Sequence, residues 1–286
     1  MMKDWFNGKF GRGRSVTREA VVQTPLRLVL QSSHSSVSIK GIAGTSAVVK
    51  AEVELKGSFR DDDGRAAGLV AEGIVFEDDW LSIESPPARE GLHVHYEVSV
   101  PFATLVHLAV QNGPVEISSI DGPLDVRLTN GPLDIEAVGG GIEVELANGP
   151  MRVRSCRGAF EASLLNGPMQ LEGIAGPIDV KVNNGPISIE DAGAGIEARA
   201  HNGPIVYKGA VRGNIDMRSH RGGIVVELPE DARFELDAEA EHGAVHCDFD
   251  VKDTSMASSG APAPHIVLRS DRGEIVLKQA SRVGVS

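Results

Sequence analysis

Six acidic residues, Asp125, Glu143, Glu161, Asp179, Glu197 and Asp216, recur every 18 or 19 residues. Carboxylates stacked at strand spacing, about 4.8 Å, repel one another unless something offsets them. A cation or a cationic polymer would do so, and so would a second column of opposite sign. Two residues further on stand Arg127, Lys181, Arg199 and Arg218, interrupted only by Glu145 and Ser163. Acid and base side by side on a solvated sheet make a surface charge ladder, and that is the expected arrangement.

Other residue types suggest metal chemistry less well. Glycine recurs every nine residues, as in calcium-binding β-rolls, but those need an aspartate in the turn to supply oxygen ligands. Here the recurring acid lies mid-strand. His201, His220, His242 and His246 gather towards the carboxyl end, and His201 and His220 share nearly one column on neighbouring coils. No acid or cysteine at ligand spacing completes a set, so no metal is expected. Cys156 and Cys247 are far apart and fit no zinc pattern; both read as reduced core thiols. The chain has no Ser/His/Asp motif, no phosphate-cradling glycine loop and no isolated carboxylate pair, so neither catalytic residues nor a cofactor are expected.

The elements that place these columns follow from an internal repeat. Asn-Gly-Pro begins at Asn112, Asn130, Asn148, Asn166, Asn184 and Asn202, 18 residues apart each time. Glycine marks the half-period from Gly113 to Gly203, with Ala194 in one place. After each comes apolar, polar, apolar, as in Val115-Glu116-Ile117 and Leu124-Asp125-Val126, the alternation of a half-buried strand. Two short strands per 18 residues cannot fold alone, but stacked coils give every strand a parallel neighbour. The predicted fold is all-β, a single-domain parallel β-solenoid with regular repeats over 101–222 and irregular capping coils over 24–100 and 223–280. The inward columns run Val115 to Ile205, Ile117 to Tyr207, Leu124 to Ile215 and Val126 to Met217. The Asn-Gly corner supplies backbone freedom, Pro removes a donor where none is needed, and the six asparagines are expected to bond to one another up the axis.

The ends read less regularly. Strands are expected across Leu26–Leu55, at Leu81–Ile83, His93–Val100, Ile224–Leu228, Phe234–Ala238, Val245–Phe249 and Ile266–Leu277. One helical turn is expected near Arg65–Val70, after the run Asp61-Asp62-Asp63, and the Ser, Gly, Ala and Pro of TSMASSGAPAPH mark a loop. Residues 1–23 and 281–286 read as tails. Trp5, Phe6 and Phe10 stand among Lys3, Lys9, Arg12 and Arg14, which makes the first tail a candidate weak docking peptide.

Composition narrows the partner. Of 286 residues, 28 are Lys or Arg and 40 Asp or Glu, a net charge of −12 that disfavours nucleic acid. Aromatics are 4%, in keeping with two closely spaced sheets and small aliphatic layers. No stretch has the length of a signal-peptide core or a membrane span, so the default expectation is a cytoplasmic protein with no transmembrane segment.

The opening SSVSIKGIAG, the phrase HVHYEVSVPFATLVHLAVQNGPVEISSIDGPLDVRLTNG and the closing IVVELPEDARFELDAEAEHGAVH resemble the bacterial putative-adhesin family of β-strand-repeat proteins, over Thr24 to Lys278. The resemblance implies right-handed parallel β-helices without established catalytic residues, and a place in the cell envelope. It makes the leading expectation a non-catalytic scaffold that binds a protein or polysaccharide. Two alternatives are a polymer-forming, bactofilin-like structural protein and a carbohydrate-active β-helix enzyme. The enzyme is less favoured, because an array without insertions from Pro101 to Val211 walls no water-excluding pocket.

Overall fold

The computed structural model describes residues 14–55, 63–87, 92–249 and 263–280. Trp5, Phe6 and Phe10, the acids Asp61 and Asp62, most of TSMASSGAPAPH and the last six residues lie outside them. The fold is all-β, a parallel β-solenoid, and the chain divides into two compact units, Met1–Gly122 and Pro123–Ser286.

The first unit contains β1 (Arg14–Val21), β2 (Leu26–Ile42), β3 (Ser46–Leu55), α1 (Asp63–Glu72), β4 (Ile74–Phe76), β5 (Trp80–Glu84), β6 (Leu92–Pro101), β7 (Thr104–Asn112) and β8 (Val115–Ser118). The 17-residue β2 serves two sheets. Its first half pairs in parallel with β5 and β7, its second half with β6 and β8. Alternation slips where it passes between them, at the consecutive buried residues Ser35, Ser36 and Val37.

This unit is less uniform than a stack of parallel coils. β3 pairs antiparallel with both β1 and β6, and β4 pairs antiparallel with β5. The helix is longer than one turn, because Ala66, Ala67 and Val70 give it a buried face and it packs against β1, β3 and β4. The core holds the fully buried Tyr96, whose hydroxyl meets Ser85 Oγ at 2.7 Å.

The second unit repeats one coil of two unequal strands. The seven-residue strands are β9 (Leu124–Asn130), β11 (Ile142–Asn148), β13 (Phe160–Asn166), β15 (Ile178–Asn184), β17 (Ile196–Asn202) and β19 (Ile215–Arg221). Between them lie β10 (Leu133–Glu136), β12 (Met151–Arg154), β14 (Met169–Glu172), β16 (Ile187–Glu190), β18 (Ile205–Lys208) and the five-residue β20 (Ile224–Leu228). Each long strand pairs in parallel with the next long strand and each short strand with the next short one, in unbroken register.

Every inward residue anticipated from the repeat over 124–217 is buried. The long strands also bury a third position, Leu128, Leu146, Leu164, Val182 and Ala200, and the corner between coils buries Val138, Cys156, Ile174 and Ala192. At ~25 cal/mol per Å² of apolar surface removed from water, these columns are the main term holding the coils together. The corner requires glycine: Gly167 has φ +144°, and a Cβ there would lie 2.0 Å from the carbonyl oxygen of Gly149 one coil back.

The last coils are out of chain order. They are β21 (Glu235–Ala240), β22 (Val245–Cys247), β23 (His265–Arg272) and β24 (Ile275–Gln279). β23 lies between β19 and β21, and β24 between β20 and β22, all in parallel. The span 266–277 is therefore two strands meeting at Gly273, and the terminal coil of this unit is made by residues 235–247. Phe234 and Phe249, 5.3 Å apart edge to face, bury their rings behind it.

Candidate functional site

Each long strand of the second unit has three outward positions, and parallel register stacks each position into a column. The first column is the acids Asp125, Glu143, Glu161, Asp179, Glu197 and Asp216, adjacent in that order and followed by Val267. The second is Arg127, Glu145, Ser163, Lys181, Arg199 and Arg218, continued by Arg269 because β23 follows β19 in space.

Four of the cations pair along their own strand, and Arg127 and Arg269 also reach acids on neighbouring strands. Arg127 reaches Asp125 at 3.7 Å and Glu145 at 3.5 Å, Lys181 reaches Asp179 at 4.0 Å, and Arg199 pairs with Glu197. Arg218 donates from Nε and Nη2 to the two carboxylate oxygens of Asp216, both at 2.8 Å. Those hydrogen bonds push the Arg218 guanidinium above its ordinary pKa. Arg269 pairs with Asp237, whose carboxyl is held below the usual range by that guanidinium's hydrogen bonds. Glu143 and Glu161 have Glu145 and Ser163 two residues on, where the other long strands carry a cation. The ion pairs are exposed, so each adds little to stability.

The third outward column begins with Thr129, Ala147, Leu165 and Asn183, and ends in His201, His220 and Asp271. Between it and the second column runs a groove of 1140 Å³ across the coils. The rings of His201 and His220 stack at 4.8 Å and 12° on one wall, and His220 Nδ1 lies 2.5 Å from Asp271 Oδ2. His242 Nδ1 lies 3.1 Å from the backbone carbonyl of Asp271, while His246 is exposed on β22. Among the described residues no three His, Cys, Asp or Glu side chains converge as a metal site, and both cysteines are free thiols.

The asparagines stand at the corner beyond this groove. Asn148 donates to Asn130 at 2.9 Å, Asn166 to Asn148 at 2.7 Å, Asn184 to Asn166 at 2.8 Å and Asn202 to Asn184 at 2.8 Å. In the first unit Asn112 donates instead to the carbonyl of Ser33 at 3.1 Å.

Two features were not legible as sites. Arg269 and Asp271 stand outside the 18-residue count, so only the displaced coil brings them beside Arg218 and His220. In the first unit, Ser36 Oγ lies 2.9 Å from His93 Nε2, a contact made by the pairing of β2 with β6. Ser36 is 5% exposed, so this hydroxyl is not open to a substrate. No described helix is long and apolar enough to cross a membrane.

No family model and no curated protein match the chain. Solved structures do, at low identity. A putative adhesin from Parabacteroides merdae is 11% identical, with 94% of this chain and 98% of that one covered and a TM-score of 0.40. A putative lipid binding protein from Parabacteroides distasonis is 12% identical over 94% and 98%, with a TM-score of 0.41. A putative cell adhesion protein from Clostridium sporogenes is 13% identical over 93% and 100%, with a TM-score of 0.26.

Proposed function

We propose that the chain is a non-catalytic β-solenoid scaffold that binds an extended partner, a polysaccharide or a protein segment, along the outward groove of its second unit. One observation carries this reading: the groove runs across successive coils between two columns in register, so equivalent positions recur at every strand step, about 4.8 Å. Such a surface meets a repeating ligand better than a compact substrate. Its walls are exposed ion pairs and small side chains, and it is open to water along its length, which suits adhesion better than acid–base or nucleophilic chemistry.

The test is a panel of immobilised polysaccharides and peptides, probed with the wild type and with Leu165→Glu, which puts a long acidic side chain on the groove wall. The expected result is capture of one polymer class by the wild type, loss of capture in the variant, and no ligand consumed. Turnover of the captured polymer would make the protein an enzyme. Undiminished capture by Leu165→Glu would move the site elsewhere.

A polymer-forming role fits the terminal coil poorly. Glu235, Asp237, Glu239 and Glu241 line β21 and the residue after it, and like charges on an end strand oppose end-to-end pairing. Reproducible filaments at low salt in electron micrographs would reverse that preference. Cell fractionation decides between the envelope, which the family resemblance implies, and the cytoplasm.

A further inference from the structure

The groove differs along its length. Towards β11 and β13 its walls offer Glu145, Ala147, Ser163 and Leu165, the last 47% exposed. Towards β19 they offer Lys181, Arg199 and Arg218 on one side and the stacked His201 and His220 on the other. The paired carboxylates stand on the far side of the cations, two residues back along each strand, and meet them at 4.0 Å for Lys181 and 2.8 Å for Arg218. A chain with net charge −12 thus turns a cationic edge towards this groove.

We propose that this groove binds a linear polyuronate, an acidic polysaccharide with one carboxylate per sugar. The proposal rests on reading the groove as the binding face. Lys181, Arg199 and Arg218 stand on three successive strands in register, one cation for each step of ~4.8 Å, which is close to the advance of one sugar in an extended chain. A guanidinium matches a carboxylate with two parallel hydrogen bonds, the geometry Arg218 already adopts with Asp216. That pair occupies two of its five donors and leaves the rest for a ligand. Leu165 and Ala147 accept the apolar faces of further sugars, beside Glu145, whose charge Arg127 offsets at 3.5 Å.

Single-stranded nucleic acid fits less well. Recognition of unstacked bases relies on aromatic platforms, and among the described residues no Phe, Tyr or Trp lines the groove. An isolated small anion would need its donors converged on one point, whereas these cations are spread along a line.

The experiment is titration calorimetry of the full chain with oligomannuronate six to eight sugars long, against cello-oligosaccharide of equal length, dextran sulfate and oligo-dT. Three proteins are compared: wild type, Arg199→Gln/Arg218→Gln and Glu197→Gln/Asp216→Asn. The arginines are on the surface, with side chains 41% and 53% exposed, and matching thermal melts check that the variants fold. Oligomannuronate should bind the wild type, weaken as salt rises, and lose at least tenfold in affinity in the arginine double variant. Removing the competing carboxylates should strengthen it severalfold, a change that a purely structural charge ladder would not produce. Absent binding, or equal affinity in the arginine variant, overturns the proposal. Cello-oligosaccharide bound in a way that Leu165→Glu abolishes would overturn the polyuronate while the scaffold reading stands. Preference for dextran sulfate or oligo-dT would overturn it in favour of another polyanion.

Discussion

The two units bury similar aliphatic cores by different means, and the groove described above belongs to the second. The first mixes parallel and antiparallel pairing, carries one 17-residue strand through both sheets, and adds a helix and the buried Tyr96. Its outward residues stack in columns of mixed chemistry, such as Thr17, Lys50, Glu97, Ser38 and Glu116. The second repeats one coil with hardly an insertion, so a residue placed outward once is placed outward on every strand. Regularity in the core thus has a surface consequence. Identical backbone steps turn scattered sequence positions into continuous walls.

The largest expected effect tests the core columns of the second unit. Ile178 is buried with Phe160 and Ile196 as its neighbours on the flanking strands, so Ile178→Ala should cost ~2–5 kcal/mol in a denaturant melt. Asp179 on the opposite face should lose ~0–1 kcal/mol on change to Asn. Equal losses would break the contrast between inward and outward columns.

Next is the corner. Gly167→Ala puts a methyl carbon against the carbonyl oxygen of Gly149 at a φ of +144°, and the expected loss is ~1–3 kcal/mol. Gly44 in the first unit also has positive φ, +101°, but nothing lies within 4 Å of its Cβ position. Gly44→Ala therefore carries the backbone strain without the clash and should cost less. If the two substitutions cost the same, close coil stacking is not what demands glycine in the second unit.

The same contrast explains what could be read from sequence. The 18-residue period specifies the register, and with it the four inward columns, the acid column and the Asn-Gly-Pro corner, because each is a residue type repeating at one phase. The third outward column was hidden for the opposite reason. Its members, Thr129, Ala147, Leu165, Asn183, His201, His220 and Asp271, share a place but no chemistry. The order of the last coils was hidden because β23 carries no Asn-Gly-Pro marker and follows β21 in sequence while preceding it in space. In the first unit the antiparallel partners of β3 lie far away in sequence, and alternation alone does not distinguish the two directions of pairing.

The asparagine run offers a smaller effect. Asn166 donates to Asn148 and accepts from Asn184, whereas Asn202 donates to Asn184 and has Arg221, not another amide, in the next place. At ~1 kcal/mol per net hydrogen bond, Asn166→Ala should lower the denaturation midpoint more than Asn202→Ala. Equal midpoints would mean that the amides stack without adding stability.

The smallest effect at neutral pH compares the units through their tyrosines, since the chain has two, Tyr96 in the first and Tyr207 in the second. Burial raises both phenols, and that of Tyr207 is pushed up to about 12, chiefly by desolvation and then by the charge of Asp191. Its hydroxyl donates to the carbonyl of Ala210 at 2.6 Å, so Tyr207→Phe should cost ~0.5–1.5 kcal/mol at pH 7. The pH dependence follows from the sign of the shift. An unfolded chain releases its tyrosine protons near 10, while the folded one keeps that of Tyr207 to about 12. The stabilisation is complete below pH ~10 and is lost as pH rises towards 12, because the unfolded state then binds fewer protons than the native one. Ultraviolet titration of phenolate should show neither tyrosine ionising at its ordinary midpoint in the native protein, and both doing so in denaturant. Tyr207→Phe should also flatten the fall in stability between pH 10 and 12. A native titration near 10 that disappears in Tyr96→Phe would show the first unit opening to alkali while the second keeps its core closed.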